Sequence, residues 1–329
     1  MPESLSPESV RQQLTERRAK LQHAMTHAGR NDRLTDLLRE VDTALDKIAK
    51  GTYGLCETCH DPIEEERLAV DPLLRNCLDH LSPTEQRMLE HDLDLAFHVQ
   101  SALLPKQGFS AFGWSTAYHY EPAGAVSGDY LDLIIPDGDR GSFIFLLGDV
   151  TGKGVAASIL MSNLHAIFRS LARNGMSLPQ LLSQANRLFC EGTTSRYFAT
   201  IVVGRASMTG EVEVCNAGHP APAIVRGNKI STIASTALPL GMFCHSDFVT
   251  TKIRLQQGES LAIYSDGLVE ARNASDAFYG EEGLLSTLGT HGTLLPAQVV
   301  EKCIEGVNAF RGGSSRLDDL TLLILRRDL

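Results

Sequence analysis

The sequence predicts an α+β protein in which mainly antiparallel sheets are covered by helices, behind an all-helical N-terminal segment. Three observations lead there. From about residue 108 short β-rich runs crowd the chain: "SFIFLLGDV", "YFATIVVGRAS", "GEVEVCNAG", "PAIVRG", "SLAIYSDG" and "LTLLILRR". Tight turns such as Met208-Thr209-Gly210 join neighbouring runs, which antiparallel pairs allow and parallel pairs do not. Helical patterns near residues 155–173, 178–190, 281–289 and 296–310 are outnumbered by strands, which disfavours a doubly wound parallel sheet.

Ahead of this region, residues from about 8 to 50 read as two helices. Ser6-Pro7 is a helix start, followed by a thin apolar stripe of Val10, Leu14, Leu21 and Met25. "HAGRND" breaks the pattern. Leu34, Leu37, Leu38, Val41, Leu45 and Ile48 then recur at helical spacing until Gly51 supplies a stop. Two amphipathic helices with a short joint make an antiparallel hairpin. Further on, "SPTEQRMLEHDLDLAFHVQSALLP" opens with a capping box of Ser82 and Glu85 around Pro83. Leu89, Leu93, Ala96, Gln100 and Leu103 mark one face of this helix; Met88, Leu95, Val99 and Ala102 mark another. A helix apolar on two sides is covered on two sides. It is either a plain core helix or a connector packed on the next domain and on a second copy of itself, as in a homodimer. The expected divisions are 1–81, 82–107 and 108–329.

Bulk composition narrows the classes. The 329 residues are 43% hydrophobic and 21% charged, ordinary for a soluble globular chain. A net charge of −10 disfavours nucleic acid and anionic membrane as partners. No apolar run reaches membrane-spanning length and "MPESLSPESVRQQL" has no signal-peptide core, so a cytoplasmic location is expected. Of seven cysteines, Cys190, Cys215, Cys244 and Cys303 are scattered in apolar surroundings and read as buried small hydrophobes. The other three are Cys56, Cys59 and Cys77, and with His80 they spell C-x2-C-x17-C-x2-H. Two close pairs of soft ligands suit a closed tetrahedral zinc site that staples a unit too small to fold alone. His60 is an alternative ligand.

"FLLGDVTGKGVAAS" raises the question of nucleotide or metal. A P-loop needs G-x-x-x-x-G-K-[ST]. Here Gly148 to Gly152 is one residue too short and Gly154 stands where a hydroxyl should follow Lys153. The metal reading fares better, because the same grammar recurs. Asp129 in "AVSGDYLDL", Asp149 in "FLLGDVTGKG", Asp266 in "LAIYSDGLVE" and Asp318-Asp319 in "SRLDDLTLLIL" each lie at the edge of an apolar run. Convergent carboxylates repel and raise one another's pKa unless divalent cations neutralise them. Hard oxygen ligands select magnesium or manganese. Two such ions about 3.5–4 Å apart promote in-line displacement at phosphorus.

The ordered motifs "YEPAGAVSGDYLDLI", "GDVTGKGVAASILM", "YFATIVVG", "NAGHPAPAIV", "LPLGM", "YSDGLVEARN" and "LDDLTLLILRR" resemble the SpoIIE/RsbU branch of the PPM metal-dependent protein serine/threonine phosphatases. The resemblance implies an αββα sandwich with two manganese or magnesium ions at one end of the sheets. It implies hydrolysis of phosphoserine or phosphothreonine on a protein by an activated water, without a phosphoenzyme. Asp149 should bridge both ions, assisted by the backbone carbonyl of Val150. Asp266 and Asp318 should hold one ion, and Asp129 should bind directly or through water. Asp319 is a further candidate ligand, placed after Asp318 because only one of two neighbouring side chains on an extended segment readily points inward. Gly128 and Gly152 should permit tight turns. Eukaryotic members carry a histidine after the bridging Asp and a phosphate-holding arginine. Here Thr151 and Lys153 occupy the first region and no arginine matches the second. Lys153 and His219 are the candidate phosphate contacts, His219 in "NAGHP" fitting a structural role as well.

"LLREVDTALDKIAKGTYGLCETCHDPIEEERLAVDPLLRNCLDH" resembles the zinc-finger end of DksA/TraR proteins, with His80 in place of the last of four cysteines. The short hairpin, with charges balanced in "HAGRNDR", disfavours direct polymerase control. The resulting expectation is a bacterial signalling phosphatase whose substrate is a phosphorylated anti-sigma-factor antagonist or similar partner-switching protein. The alternative is a catalytically inert regulator acting through its finger.

Overall fold

The computed structural model describes residues 7–28, 32–81, 83–194, 196–314 and 316–329. Ser6, Ser82 and the hairpin break at 29–31 lie outside the described residues. The chain divides into two compact units, and the division falls after Asp92.

The first unit begins with α1 (Pro7–Ala28) and α2 (Asp32–Lys50). Val10 and Leu14 of α1 are buried with Val41 and Ala44 of α2, the spacing that puts apolar groups on one helical face. Arg18 and Asp42 pair between the helices at 2.7 Å. Gly51 ends α2 at φ +70°, a left-handed value that glycine adopts without strain. Next come a turn-rich segment and α3 (Glu65–Val70). Among the described residues, the small core here is Cys56, Ile63, Leu68 and Cys77, with Tyr53, Cys59 and Leu74 partly buried against it.

α4 (Pro83–Ser101) contains the point of division. Leu93 and Ala96 are half-buried and Gln100 is buried, whereas Met88, Leu95 and Val99 are 63%, 57% and 57% exposed. Of the first face read in the sequence, Leu93, Ala96 and Gln100 are covered while Leu89 is 41% exposed, and the second face is open. The Gln100 amide donates to the Ser127 carbonyl at 2.7 Å and accepts from the Ser127 N–H at 2.9 Å.

The second unit runs β1 (Ser110–Ala111), β2 (Trp114–Glu121), β3 (Asp129–Ile134), β4 (Ser142–Val150), α5 (Gly154–Leu171), α6 (Leu178–Gly192), β5 (Ala199–Ser207), β6 (Glu211–Ala217), β7 (Ala223–Arg226), β8 (Lys229–Thr232), β9 (Thr251–Arg254), β10 (Ser260–Tyr264), α7 (Asp266–Val269), α8 (Gly280–His291), α9 (Pro296–Arg311) and β11 (Leu320–Arg327). One sheet has the order β1-β2-β11-β10-β7-β8 and the other β3-β4-β5-β6-β9. The strand pairs within both are antiparallel. Leu131, Phe145, Leu147 and Val202 of the second sheet share a core with Trp114, Leu261, Ile263 and Leu323 of the first. The outer face of the second sheet packs on α5 and α6 through Leu146, Ile201, Leu164, Phe168 and Leu182. The outer face of the first packs on α7 to α9 through Tyr264, Leu322, Leu268, Leu284 and Val299. The layers are helix, sheet, sheet, helix, as expected.

This layering explains the continuous apolar runs. β4 and β11 sit inside their sheets with both faces covered, so nearly every residue is buried. Phe145 faces Gly204 across β4 and β5. A methyl at Gly204 would lie 2.0 Å from the Phe145 ring. Gly204→Ala is therefore expected to cost about 1–3 kcal/mol by overpacking, read as a lower urea midpoint at unchanged slope. α5 is clamped to β3 by Arg169, which donates two bonds of 2.7 and 2.6 Å to the fully buried Asp132.

The cysteine reading needs one correction. Cys215 and Cys303 are buried as expected, but Cys190 is half-buried and Cys244 exposed, and they form a disulfide with Cα atoms 5.7 Å apart. Fifty-four residues separate them, and only the tertiary fold brings the end of α6 against the 241–247 loop. No helix among the described residues is long and apolar enough to cross a membrane.

Candidate active site and metal centres

The acidic residues gather where the two sheets end. Asp129 begins β3 and Asp149 stands at the far end of β4, directly opposite in register. Cross-strand partners put their side chains on one face about 4.5–5.5 Å apart at Cβ. Asp266 follows β10 and starts α7, and Asp318-Asp319 precede β11, the neighbour of β10. Four segments from both sheets thus supply the set.

Burial and mutual repulsion show in their acidities. The Asp149 carboxyl is pushed up to about 8, first by burial and then by Asp266, Asp318 and Asp319. Burial and then Asp318 raise Asp266. Asp129 is fully buried and raised by burial and by Asp149, while the Thr321 hydroxyl donates to its Oδ2. Asp318 is paired with the Lys153 ammonium at 2.9 Å, and Lys153 also donates to the Leu317 carbonyl.

Asp319 is used differently. Its two oxygens accept the backbone N–H groups of Ala123 and Gly128, each at 2.7 Å, which ties the 122–128 loop to the start of β11. Ser265 adds a second tie, since its hydroxyl donates to the Asp319 carbonyl and accepts from the Thr321 N–H. Two glycines make room. A Cβ at Gly128 would lie 3.1 Å from the Val150 carbonyl oxygen and 3.5 Å from Asp149 Oδ1. One at Gly267 would lie 2.1 Å from the Asp319 carbonyl oxygen, so any side chain would drive α7 from the acidic strand.

In the first unit, the thiol sulfurs of Cys56, Cys59 and Cys77 and a ring nitrogen of His80 lie within 4.8 Å of one another. That is the donor set and spacing of a tetrahedral zinc site. His60 is exposed and outside the group. Among the described residues the carboxylates form no triplet within that span. Lys153 stands beside the carboxylates, paired with Asp318 at 2.9 Å.

The profile of the Stage II sporulation protein E (SpoIIE) family matches residues 139–328, more than half of the chain. The chain belongs to the SpoIIE family. The prokaryotic dksA/traR C4-type zinc-finger profile matches residues 51–79 of this SpoIIE-family chain, stopping one residue short of His80. Protein IcfG of Synechocystis is 26% identical over 270 residues, covering 72% of the chain and 42% of IcfG. Phosphoserine phosphatase RsbU of Bacillus subtilis is 24% identical over 246 residues, covering 74% of the chain and 72% of RsbU. The chain thus spans well under half of one relative and nearly three quarters of the other. Among solved structures, the RsbU and RsbW domains of a Mycobacterium tuberculosis protein align with TM-score 0.56 at 26% identity, over 66% of this chain and 60% of that one. The SiaA PP2C domain of Pseudomonas aeruginosa aligns with TM-score 0.66 at 15% identity, over 75% of this chain and all of that one. The latter likeness is one of fold.

Within this SpoIIE-family domain, the sequence-read residues divide into three groups. Asp129, Asp149, Asp266 and Asp318 converge, and the Val150 carbonyl lies under the space that Gly128 leaves. Asp319 accepts backbone N–H groups from the 122–128 loop. His219 is enclosed: Nδ1 meets the Thr200 hydroxyl at 2.9 Å, and burial pushes its pKa down to about 3. A neutral, enclosed imidazole carries no positive charge to a phosphate. Thr200 in turn sits opposite Asp149. Sequence reading missed Thr321 and Ser265. Thr321 is a lone hydroxyl at a fully buried strand position, and that polar interruption of "LTLLIL" was the available signal.

Proposed function

We propose that this chain is a metal-dependent protein serine/threonine phosphatase. The observation that carries the reading is the ring of carboxylates from four segments, with Asp149 raised to about 8 by burial and its acidic neighbours. Such a ring is unfavourable by itself and becomes favourable around divalent cations. Asp129, Asp149, Asp266, Asp318 and the Val150 carbonyl would hold two manganese or magnesium ions. When bound, such ions supply Lewis acidity at phosphorus and a nucleophile at neutral pH. The chain's own part is positional. Thr321 fixes the Asp129 carboxylate, Asp319 and Ser265 fix the backbone on either side, and Lys153 holds a positive charge at the ring's edge. The naming of the RsbU relative as a phosphoserine phosphatase supports phosphoserine or phosphothreonine as substrate. The family resemblance supports a partner-switching protein, such as an anti-sigma-factor antagonist, as its carrier. Phosphate release from a phosphoserine peptide with manganese, silenced by chelator and restored by added metal, is the expected result. Metal-independent release would sink the reading.

The second metal in this reading is one structural zinc ion on Cys56, Cys59, Cys77 and His80. A homodimer through α4 is the third part, because Met88, Leu95 and Val99 present an open apolar face. Sedimentation at micromolar concentration should give a dimer, and Leu95→Asp with Val99→Asp should give a monomer. A wild-type monomer would remove the dimer from the proposal.

A further inference from the structure

A cavity of about 250 Å³ opens beside the carboxylate ring, lined by Lys153, Gly267, Asp318, Arg272, Arg311 and Arg316, among others. Asp129, Asp149 and Asp266 do not line it. It adjoins the ring without containing it. Four cationic side chains face it against two acidic ones, Glu270 and Asp318, in a chain whose net charge is −10. Three of the four cations already pair with carboxylates, Lys153 with Asp318, Arg272 with Asp276 and Arg316 with Glu121, so what the cavity offers a ligand is the unbonded edge of a guanidinium rather than an excess of charge.

The guanidinium groups are held in place by their neighbours. Arg272 pairs with Asp276 at 2.7 Å and lies 4.5 Å from the Phe278 ring centroid. Arg311 closes the end of α9 by donating to the Ser314 carbonyl at 3.0 Å. Arg316 pairs with Glu121 at 2.6 Å and donates to the Pro122 carbonyl at 3.2 Å, both through Nη1. Among the described residues, Nε and Nη2 of Arg316 make no hydrogen bond, which leaves one edge of its planar fork for a ligand. A guanidinium edge binds carboxylate or phosphate with two parallel bonds, and a side chain already held in place loses little entropy on doing so.

We propose that this cavity is a subsite for an acidic segment of the phosphoprotein, flanking the phosphorylated residue, read by Arg316 and Arg311. The inference rests on the phosphatase reading for its substrate. Its ligand chemistry is set by the cavity itself. The scissile phosphate belongs on the ring, so the arginines beside the ring meet what adjoins it in the substrate chain. Arg316 stands two residues before Asp318, so the short segment leading into β11 carries both a ring carboxylate and the reader of the flank.

The test uses the full chain with manganese and two phosphoserine peptides, one with aspartates beside the phosphoserine and one with alanines. Wild type should favour the acidic peptide about tenfold in kcat/KM, chiefly through KM, and the preference should shrink as salt rises. Arg316→Gln and Arg311→Gln should each reduce the preference, and Arg316→Glu should turn it toward a lysine-flanked peptide. Equal losses on all peptides would overturn the proposal, as would a wild type indifferent to the flank. Because Arg311 also closes α9, the Arg316 variants decide if Arg311→Gln fails to fold. Fluorescence anisotropy with the acidic peptide and the Asp149→Asn chain separates the two readings. Arg316-dependent binding without turnover in wild type would sink the phosphatase reading and keep the subsite. Turnover without any arginine dependence in binding or KM would do the reverse.

Discussion

Asp149→Asn is expected to lower manganese-supported hydrolysis of p-nitrophenyl phosphate by at least about a thousandfold, or roughly 4 kcal/mol of transition-state stabilisation. The acidity of Asp149 is shaped by two members of the ring, Asp266 and Asp318, and by Asp319 beside it. The substitution removes the carboxylate that the proposed site would share between two ions. The same substitution should act oppositely on stability. Without metal, an amide escapes the cost of burying a carboxyl beside other acids, so the melting temperature should rise. With manganese, wild type should gain stability through linkage, about 2.7 kcal/mol at a hundred times Kd, and the variant should gain much less. An Asp149→Asn chain that kept its activity, or kept its manganese-dependent rise in melting temperature, would place the ions elsewhere.

Wild type is expected to carry one equivalent of zinc by atomic emission, and Cys77→Ala should lose it and unfold residues 52–80. The reason is the size of the local core. Two of its four buried apolar residues, Cys56 and Cys77, belong to the proposed ligand set, and α3 has only six residues. Ile63 and Leu68 cannot offset the entropy of ordering such a segment. Structural zinc contributes about 10–16 kcal/mol in comparable small units. Hydrogen exchange should report lost protection across the segment in Cys77→Ala, and in wild type after chelation. His80→Cys should keep both zinc and protection, since a thiolate can take the imidazole's place. Unchanged protection in a zinc-free chain would show that the segment folds without a metal.

How much of this was legible in the sequence depended on where each residue's partners lie. β4 and β11 could be read to the residue, because strands covered on both faces are continuous apolar runs. β2, "WSTAYHYE", has neither a run nor a clean alternation, and it is a strand because β11 pairs with it over its whole length. The ring aspartates were legible because each stands at the end of such a run. The remaining parts of the site were not. Thr321 matters through Asp129, which lies 192 positions away. Arg272, Arg311 and Arg316 meet only once α7 and α9 have packed against one sheet, and no local pattern announces that meeting. Cys190 and Cys244 looked apolar for the same reason.

The buried Gln100 amide has a mechanical consequence. It satisfies both backbone groups of Ser127, and the hydroxyl of that serine accepts the N–H of Asp129. Rolling the final turn of α4 about its own axis would strand three enclosed polar groups at once, each at about 1–3 kcal/mol. Helix end, loop and aspartate must therefore swing together or stay put, like a key whose shaft and bit are cut from one piece.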